Sequence, residues 1–293
     1  MTRQKQFRLE SHTGGVTALL LGTLLWSTAY IVVKDIVGTL PPSSIVLGRF
    51  AIAALCFLPW LRLKPGLMLA GAELGCWLIG GYGTQTLGLQ YTTAGRSAFI
   101  ASLCVILVPL LLGLIGRRIA AAAWVAAALA LVGIALLSYQ GGRLNVGDLW
   151  SLGTAVCWAG HIIRLERFAQ RYPTLPLTAI QIWSMTALSL GWAAFDQGMG
   201  QPTAVSAAAV PWGWLVYLGL FTTALPTWLQ TFGQMRVSPP EAVILFTLEP
   251  VAAVILAFFL LGESLTDLQI LGAILIIVAT YVSQLPSRAS RLG

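Results

Sequence analysis

Two charged side chains that interrupt long apolar runs are the first candidates for chemistry in this sequence. Glu249 lies about ten residues into its run, which is about 15 Å along a helix. A charge at that depth of a bilayer costs about 2.5 to 3.5 kcal/mol, so it marks a site or has a partner. We interpret Glu249 either as a cavity carboxylate that exchanges protons or as a structural acid paired with a neighbouring helix. Arg49, about six residues into its run, is expected to reach the membrane surface or to pair with a carboxylate.

Two glutamines at similar depth are the best candidates for contact with a bound solute. Gln85 and Gln230 each lie near the middle of an apolar run, and a neutral amide both donates and accepts hydrogen bonds when it is buried. Tyr82 precedes Gln85 by three residues, and Thr227 precedes Gln230 by three, so each pair shares one helix face. The alternative is that these amides join one helix to another.

Aromatic residues at the same depth complete the candidate site. Trp26 and Tyr30 are four residues apart, and Trp158 and His161 are three apart, so each pair also shares a helix face. Both tryptophans lie too deep in their runs for an interfacial belt. Aromatic faces at mid-depth suit a solute with an aromatic ring. His161 is expected to bind a carboxylate, relay protons or complete a hydrogen-bond network.

Three prolines inside apolar runs predict kinks. Pro109, Pro226 and Pro250 each remove a backbone donor from a helix interior. Kinks of this kind allow the two parts of a helix to pivot around a site.

These residues must be positioned by helices that cross a bilayer. Hydrophobic residues make up 57% of the 293 residues and charged residues only 9%, whereas about a quarter of a soluble domain is charged. Apolar runs near 20 residues recur along the whole chain, each long enough to span about 30 Å of hydrocarbon. The sequence predicts an all-α membrane protein with ten transmembrane helices, over residues 15–33, 43–61, 67–88, 95–116, 120–139, 147–166, 175–196, 211–232, 240–262 and 267–285.

The cations of the predicted loops orient these helices. An even number of helices places both termini on one side. That side has 13 of the 17 Lys and Arg residues, three lie on the other side, and Arg49 lies within a helix. Cytoplasmic loops are enriched in Lys and Arg, so both termini are predicted to be cytoplasmic.

The two halves of the chain resemble one another. LGTLLWSTAYIVVK matches SLGTAVCWAGHII with Trp26 and Trp158 at an offset of 132, and GTQTLGLQYTTAG matches TWLQTFGQMRVSPP with Gln85 and Gln230 at an offset of 145. This predicts a repeat over 15–139 and a second over 147–285. Because five helices are an odd number, the second repeat is inverted. Inverted repeats place a solute site near the midplane, where one face opens as the other closes.

Longer motifs carry a family resemblance over essentially the whole chain. The segments YTTAGRSAFIASLCVILVPLLLGLIGRR, PPEAVILFTLEPVAAVILAFFLLGE and LQILGAILIIVATYV resemble the paired motifs of the EamA family in the drug/metabolite transporter superfamily. Within it the pattern is most similar to YddG-type exporters of aromatic amino acids. The resemblance implies two inverted repeats, export across a bacterial inner membrane and no cofactor. The repeats differ where Arg117 and Arg118 stand against Gly262 and Glu263.

Other function classes fit the sequence less well. A membrane-embedded enzyme, the remote alternative, needs a reactive cluster, but only His12 and His161 are histidines and no deep Asp accompanies Glu249. The sequence predicts no enzyme, no metal site and no nucleic-acid partner; the partners are the bilayer and a small solute. An exporter of another metabolite or of a nucleotide sugar is the alternative within transport. The cysteines occur singly, at Cys56, Cys76, Cys104 and Cys157.

Overall fold

The computed structural model describes residues 3–138, 144–199, 210–252, 255 and 266–283, with the backbone alone for 3–11, 30, 94, 95, 137 and 138. Every regular element among these residues is a helix, which confirms the all-α prediction. The helices of the first half are α1 (Arg3–Trp26), α2 (Ala29–Ile36), α3 (Pro42–Phe57), α4 (Pro65–Tyr91), α5 (Ala94–Ala101), α6 (Cys104–Leu114) and α7 (Ala121–Ser138).

The second half continues the helical pattern after the predicted boundary between the repeats. Its elements are α8 (Val146–Ala169), α9 (Thr174–Gly198), α10 (Trp212–Gly219), a π-helical turn (Leu220–Ala224), α11 (Leu225–Gln234), α12 (Pro239–Phe246) and α13 (Asp267–Ser283). Residues 248–252 are also helical.

Local sequence explains where several helices begin and end. Prolines occupy the first positions of α3, α4 and α12, where the missing N–H has no intrahelical partner to lose. At the start of α8, the Asn145 side chain accepts from the Asp148 backbone N–H, and the Asp148 carboxylate accepts from the Asn145 N–H. This reciprocal pair is a capping box. Gly116, with φ of 83°, ends α6 in the left-handed conformation that glycine favours.

Three helical stretches are long and apolar enough to cross a bilayer within the part of the chain that the structure describes. They are His12–Ile36, Pro42–Trp60 and Arg96–Leu114. Helices α4, α8 and α9 have 27, 24 and 25 residues, so they are long enough but include more polar side chains. The count of ten spans and the cytoplasmic termini therefore stay predictions.

Several predicted boundaries are wrong. The first helix begins at Arg3 rather than at residue 15, because a helix can continue into polar sequence outside the apolar run. Four helices predicted to be continuous are interrupted, at Ser27–Thr28, Ser102–Leu103, the π-helical turn and Thr247. Three of these interruptions, at Ser27–Thr28, Ser102–Leu103 and Thr247, lie beside the cavity described below.

Helices α4 and α8 form one of the most extensive contacts between the two halves of the chain. Glycines allow the backbones to approach closely. A Cβ on Gly160 of α8 would lie 2.5 Å from the Trp77 ring of α4, and one on Gly88 of α4 would lie 3.2 Å from the Gly147 carbonyl. Both distances are shorter than ordinary contacts, so a larger residue at either position would push the halves apart.

Candidate solute-binding cavity

A cavity lies between the two halves of the chain. It encloses about 690 Å³ of space not filled by atoms, including the part open to the surroundings. The wall is formed by α1, α2, α4, α5 and α6 of the first half and by α8, α11, α12 and residues 247–249 of the second. The lining residues are Trp26, Ala29, Tyr82, Gln85, Ala101, Ser102, Cys104, Trp158, Ile162, Gln230, Val243, Phe246, Thr247 and Glu249.

Several lining residues occur in pairs at the offset of the predicted repeat. The offset of 145 that relates the two glutamines also relates three further pairs of lining residues. These pairs are Ala101 with Phe246, Ser102 with Thr247, and Cys104 with Glu249. Of these positions only Glu249 is a candidate from the sequence alone, although the same offset, extended by about 20 residues, reaches the others. The cavity is thus lined by segments that the predicted repeat relates to one another.

Two corresponding helix breaks face the cavity. In the first half the break follows Ala101, where the Ser102 hydroxyl donates to the Ala98 carbonyl at 2.7 Å. In the second half it is at Thr247, whose hydroxyl donates to the Ile244 carbonyl at 2.6 Å. Such side-chain hydrogen bonds compete with the helical ladder. Irregular backbone at membrane depth is tolerated where it lines a cavity, and broken helices are typical of transporter sites.

The side-chain amides of Gln85 and Gln230 face the cavity. Among the described residues these amides have no hydrogen-bond partner. The two residues are 8% and 3% exposed, and both line the wall. Buried amides in proteins are normally hydrogen-bonded. The two amides are therefore free to bind water or a solute.

Two aromatic pairs form much of the remaining wall. The rings of Trp26 and Phe246 meet edge to face with centroids 5.6 Å apart, and those of Tyr82 and Trp158 do so at 4.9 Å. This is a favourable geometry for aromatic pairs. Each pair includes one residue from each half of the chain, and Tyr82 and Trp158 approach across the tight α4–α8 contact. The rings therefore hold the halves together and present apolar surface to the cavity.

Arg49 is buried behind this wall, where it contacts the π-helical turn. Its guanidinium donates to the Thr222 carbonyl at 3.1 Å, the Thr222 hydroxyl at 2.8 Å and the Thr223 hydroxyl at 2.8 Å. It also lies 4.6 Å from the centroid of the Tyr82 ring. Arg49 is 1% exposed and has no carboxylate partner among the described residues. Neither sequence expectation for Arg49 was correct.

The Thr222 carbonyl also explains the position of Trp26. Pro226 lies four residues after Thr222 and has no N–H to donate to this carbonyl. Trp26 donates to it from the indole nitrogen at 3.1 Å. The proline thus leaves a carbonyl acceptor that orients one ring of the cavity wall.

The other two predicted hinge prolines lie near the helix breaks rather than at them. Pro109 lies inside α6, after the break at Ser102–Leu103. Pro250 follows the break at Thr247 by three residues, in the helical segment 248–252.

His161 and Thr227 lie outside the cavity lining. His161 donates from Nε2 to Gln181 Oε1 at 3.2 Å, and Gln181 Nε2 donates to the Thr231 hydroxyl at 3.0 Å. The Thr231 hydroxyl donates to the Thr227 carbonyl at 2.8 Å. This buried chain connects α8, α9 and α11 behind the wall. The Tyr30 side chain is outside the described residues.

Ion pairs join the two halves at opposite ends of α8. At its first turn, Arg96 Nε and Nη2 each lie 2.7 Å from a carboxylate oxygen of Asp148. Near its other end, Arg164 forms a bidentate pair with Glu73 of α4. Arg117 donates to Glu166 at 2.7 Å at the same end. The described conformation therefore has charged contacts between the halves on both sides of the cavity.

Comparison with known proteins gives a family match over both halves. The model of the EamA-like transporter family matches residues 13–139 and 145–284. A protein of Archaeoglobus fulgidus described as an uncharacterized transporter is 30% identical, over 91% of this chain and 84% of its own. A Pseudomonas aeruginosa protein described as a probable biotin transporter is 27% identical, over 93% and 99%. The threonine/homoserine exporter RhtA of Salmonella typhimurium is 30% identical, over 48% and 46%.

Proposed function

Because this chain belongs to the EamA-like transporter family, and is thus a membrane transporter, we propose that it exports neutral amino acids, aromatic ones among them. Export runs from the cytoplasm across a bacterial inner membrane by alternating access, and the cavity is the solute site. The observation that supports this proposal is that two unpartnered amides and four aromatic rings line one cavity between the halves.

The cavity wall is suited to both ends of an amino acid. Gln85 and Gln230 bind the polar end, since each amide both donates and accepts. Trp26, Tyr82 and Trp158 pack against the side chain. His161 and Thr227 support this wall from behind through the buried chain of hydrogen bonds.

The internal repeat supports alternating access. The two segments that match the family model lie close to the proposed repeats, 15–139 and 147–285. The two halves share lining residues at one offset, and each half has a helix break, at Ser102 and at Thr247. These breaks give the halves corresponding segments that can move. Ion pairs at both ends of α8 provide contacts that can open in turn.

The relatives set the alternatives for the solute. The partial match to a threonine/homoserine exporter and the resemblance to YddG-type exporters support amino acids. The match to a probable biotin transporter makes another organic metabolite the second candidate. All three relatives are named as transporters or exporters, which agrees with the prediction that the chain is not an enzyme.

Counterflow in proteoliposomes tests the proposal. Liposomes loaded with unlabelled phenylalanine should accumulate labelled phenylalanine, and tryptophan, tyrosine and threonine outside should compete with it. Biotin in the same panel distinguishes the second candidate. Competition by biotin without competition by any amino acid would refute amino-acid export.

A further inference from the structure

Glu249 is the only Asp, Glu, Lys or Arg among the described residues that line the cavity. Within the described part of the chain it makes no hydrogen bond and no ion pair. Its counterpart in the other repeat is Cys104, so the cavity has a carboxylate on one side only. A carboxylate removed from water is costly unless it is paired or hydrogen-bonded.

Cations on the wall helices, and Arg49 behind them, are engaged elsewhere. Arg49 donates to Thr222 and Thr223 behind the Tyr82 ring. Arg96 pairs with Asp148. Lys34 donates to the Leu89 and Thr92 carbonyls at 2.7 and 3.1 Å. The described residues thus supply no counter-ion to Glu249. A counter-ion must then come from a solute that enters the cavity.

The aromatic wall favours a cation as the bound group. The face of an aromatic ring attracts a positive charge, and most strongly for tryptophan. Trp26, Tyr82, Trp158 and Phe246 all line the cavity that Glu249 lines. A carboxylate surrounded by aromatic rings is an arrangement that binds an ammonium group.

We propose that Glu249 binds the ammonium group of the solute, so that the cavity selects solutes with a protonated amine over carboxylic acids without one. This rests on the proposed function in one respect, that the cavity is the solute site. It extends that function by naming the chemical group that is required and the side chain that recognises it.

Two small probes that differ in charge test this inference. Phenylethylamine and 3-phenylpropionate have the same ring and a similar length, but the first is a cation and the second an anion. Binding of each is measured by isothermal calorimetry on the full-length protein in detergent. The wild type should bind the amine about tenfold or more tightly than the acid, because a charge-assisted hydrogen bond is worth at least one factor of ten.

Variants at Glu249 assign the preference to this side chain. Glu249→Gln should lose about tenfold or more in amine affinity, and Glu249→Asp, which keeps the charge, should lose less. Asp35→Asn is the matched control, since Asp35 is exposed and does not line the cavity. Thermal unfolding shows whether each variant is folded. If Glu249→Gln does not fold, the preference of the wild type for the amine over the acid decides the test.

Three results would overturn the inference. These are equal or tighter wild-type binding of the acid, no amine binding at all, and unchanged amine affinity in folded Glu249→Gln. Failure of the proposed function looks different, because phenylalanine would then show no counterflow while amine binding still depended on Glu249.

Discussion

Weakening the ion pair at the first turn of α8 should open the end of the cavity that is predicted to face away from the cytoplasm. Asp148→Asn keeps the size of the side chain and an oxygen for the capping hydrogen bond, but it removes the charge that pairs with Arg96. The side chains of Asp148 and Arg96 are 5% and 16% exposed, so water screens the pair little.

The structure sets the size of the expected shift. Breaking a buried pair by removing one partner costs about 3 to 5 kcal/mol. The remaining amide hydrogen bond and the partial exposure of Arg96 reduce this to about 2 to 3 kcal/mol. Because 1.4 kcal/mol is a factor of ten, the open population should rise by about 30-fold to 150-fold.

The assay is thiol labelling in intact cells. Ser151 is buried one turn after Asp148, and its hydroxyl donates to the Ser97 hydroxyl at 2.9 Å. In a background without the four native cysteines, Ser151→Cys should react with an impermeant maleimide about 30-fold or more faster when Asp148→Asn is added. Glu73→Gln, which weakens the pair with Arg164 near the other end of α8, is the control and should slow labelling.

An equal acceleration by both variants would show general loosening rather than alternating access. An unchanged rate in Asp148→Asn would show that this ion pair does not hold the outer end closed.

The remaining predictions concern selectivity, topology and coupling. Trp158→Ala should reduce transport of phenylalanine more than that of threonine in proteoliposomes, because the ring packs against an aromatic solute; equal losses would make Trp158 a packing residue only. A cysteine placed at Gln170, which is exposed after α8, should resist impermeant reagents in intact cells, and ready labelling would reverse the predicted orientation. If Glu249 exchanges protons during transport, Glu249→Gln should remove the pH dependence of phenylalanine flux, because the amide does not titrate; a preserved pH profile would exclude proton coupling through this side chain.

Repeat symmetry and helical spacing predicted much of the candidate site. Depth, spacing and the two offsets point to Trp26, Tyr82, Gln85, Trp158 and Gln230, and the structure brings these residues to one cavity. Apolar run length predicted an all-α chain, because lipid requires every backbone group to be satisfied within helices. Whether these residues bind a solute stays a prediction.

Contacts between residues that are far apart in the chain could not be predicted from the sequence. The partners of Arg49 and His161 lie on other helices, 173 and 174 residues away for Arg49 and 20 for His161, and depth in an apolar run does not indicate what faces a side chain. The helix breaks at Ser102 and Thr247 were missed for a related reason. A hydroxyl in an apolar run can bond within a continuous helix or interrupt it, and only the tertiary structure decides.

The central claim, that the paired amides bind the solute, is tested most directly by the affinity of Gln85→Ala and Gln230→Ala for phenylalanine in proteoliposomes. Losing a hydrogen bond costs about 0.5 to 1.5 kcal/mol, and leaving its partner unsatisfied costs about 1 to 3 kcal/mol. Each variant should therefore bind about tenfold or more weakly, whereas Gln90→Ala, at an exposed position of α4, should match the wild type. Wild-type affinity in both cavity variants would contradict the account.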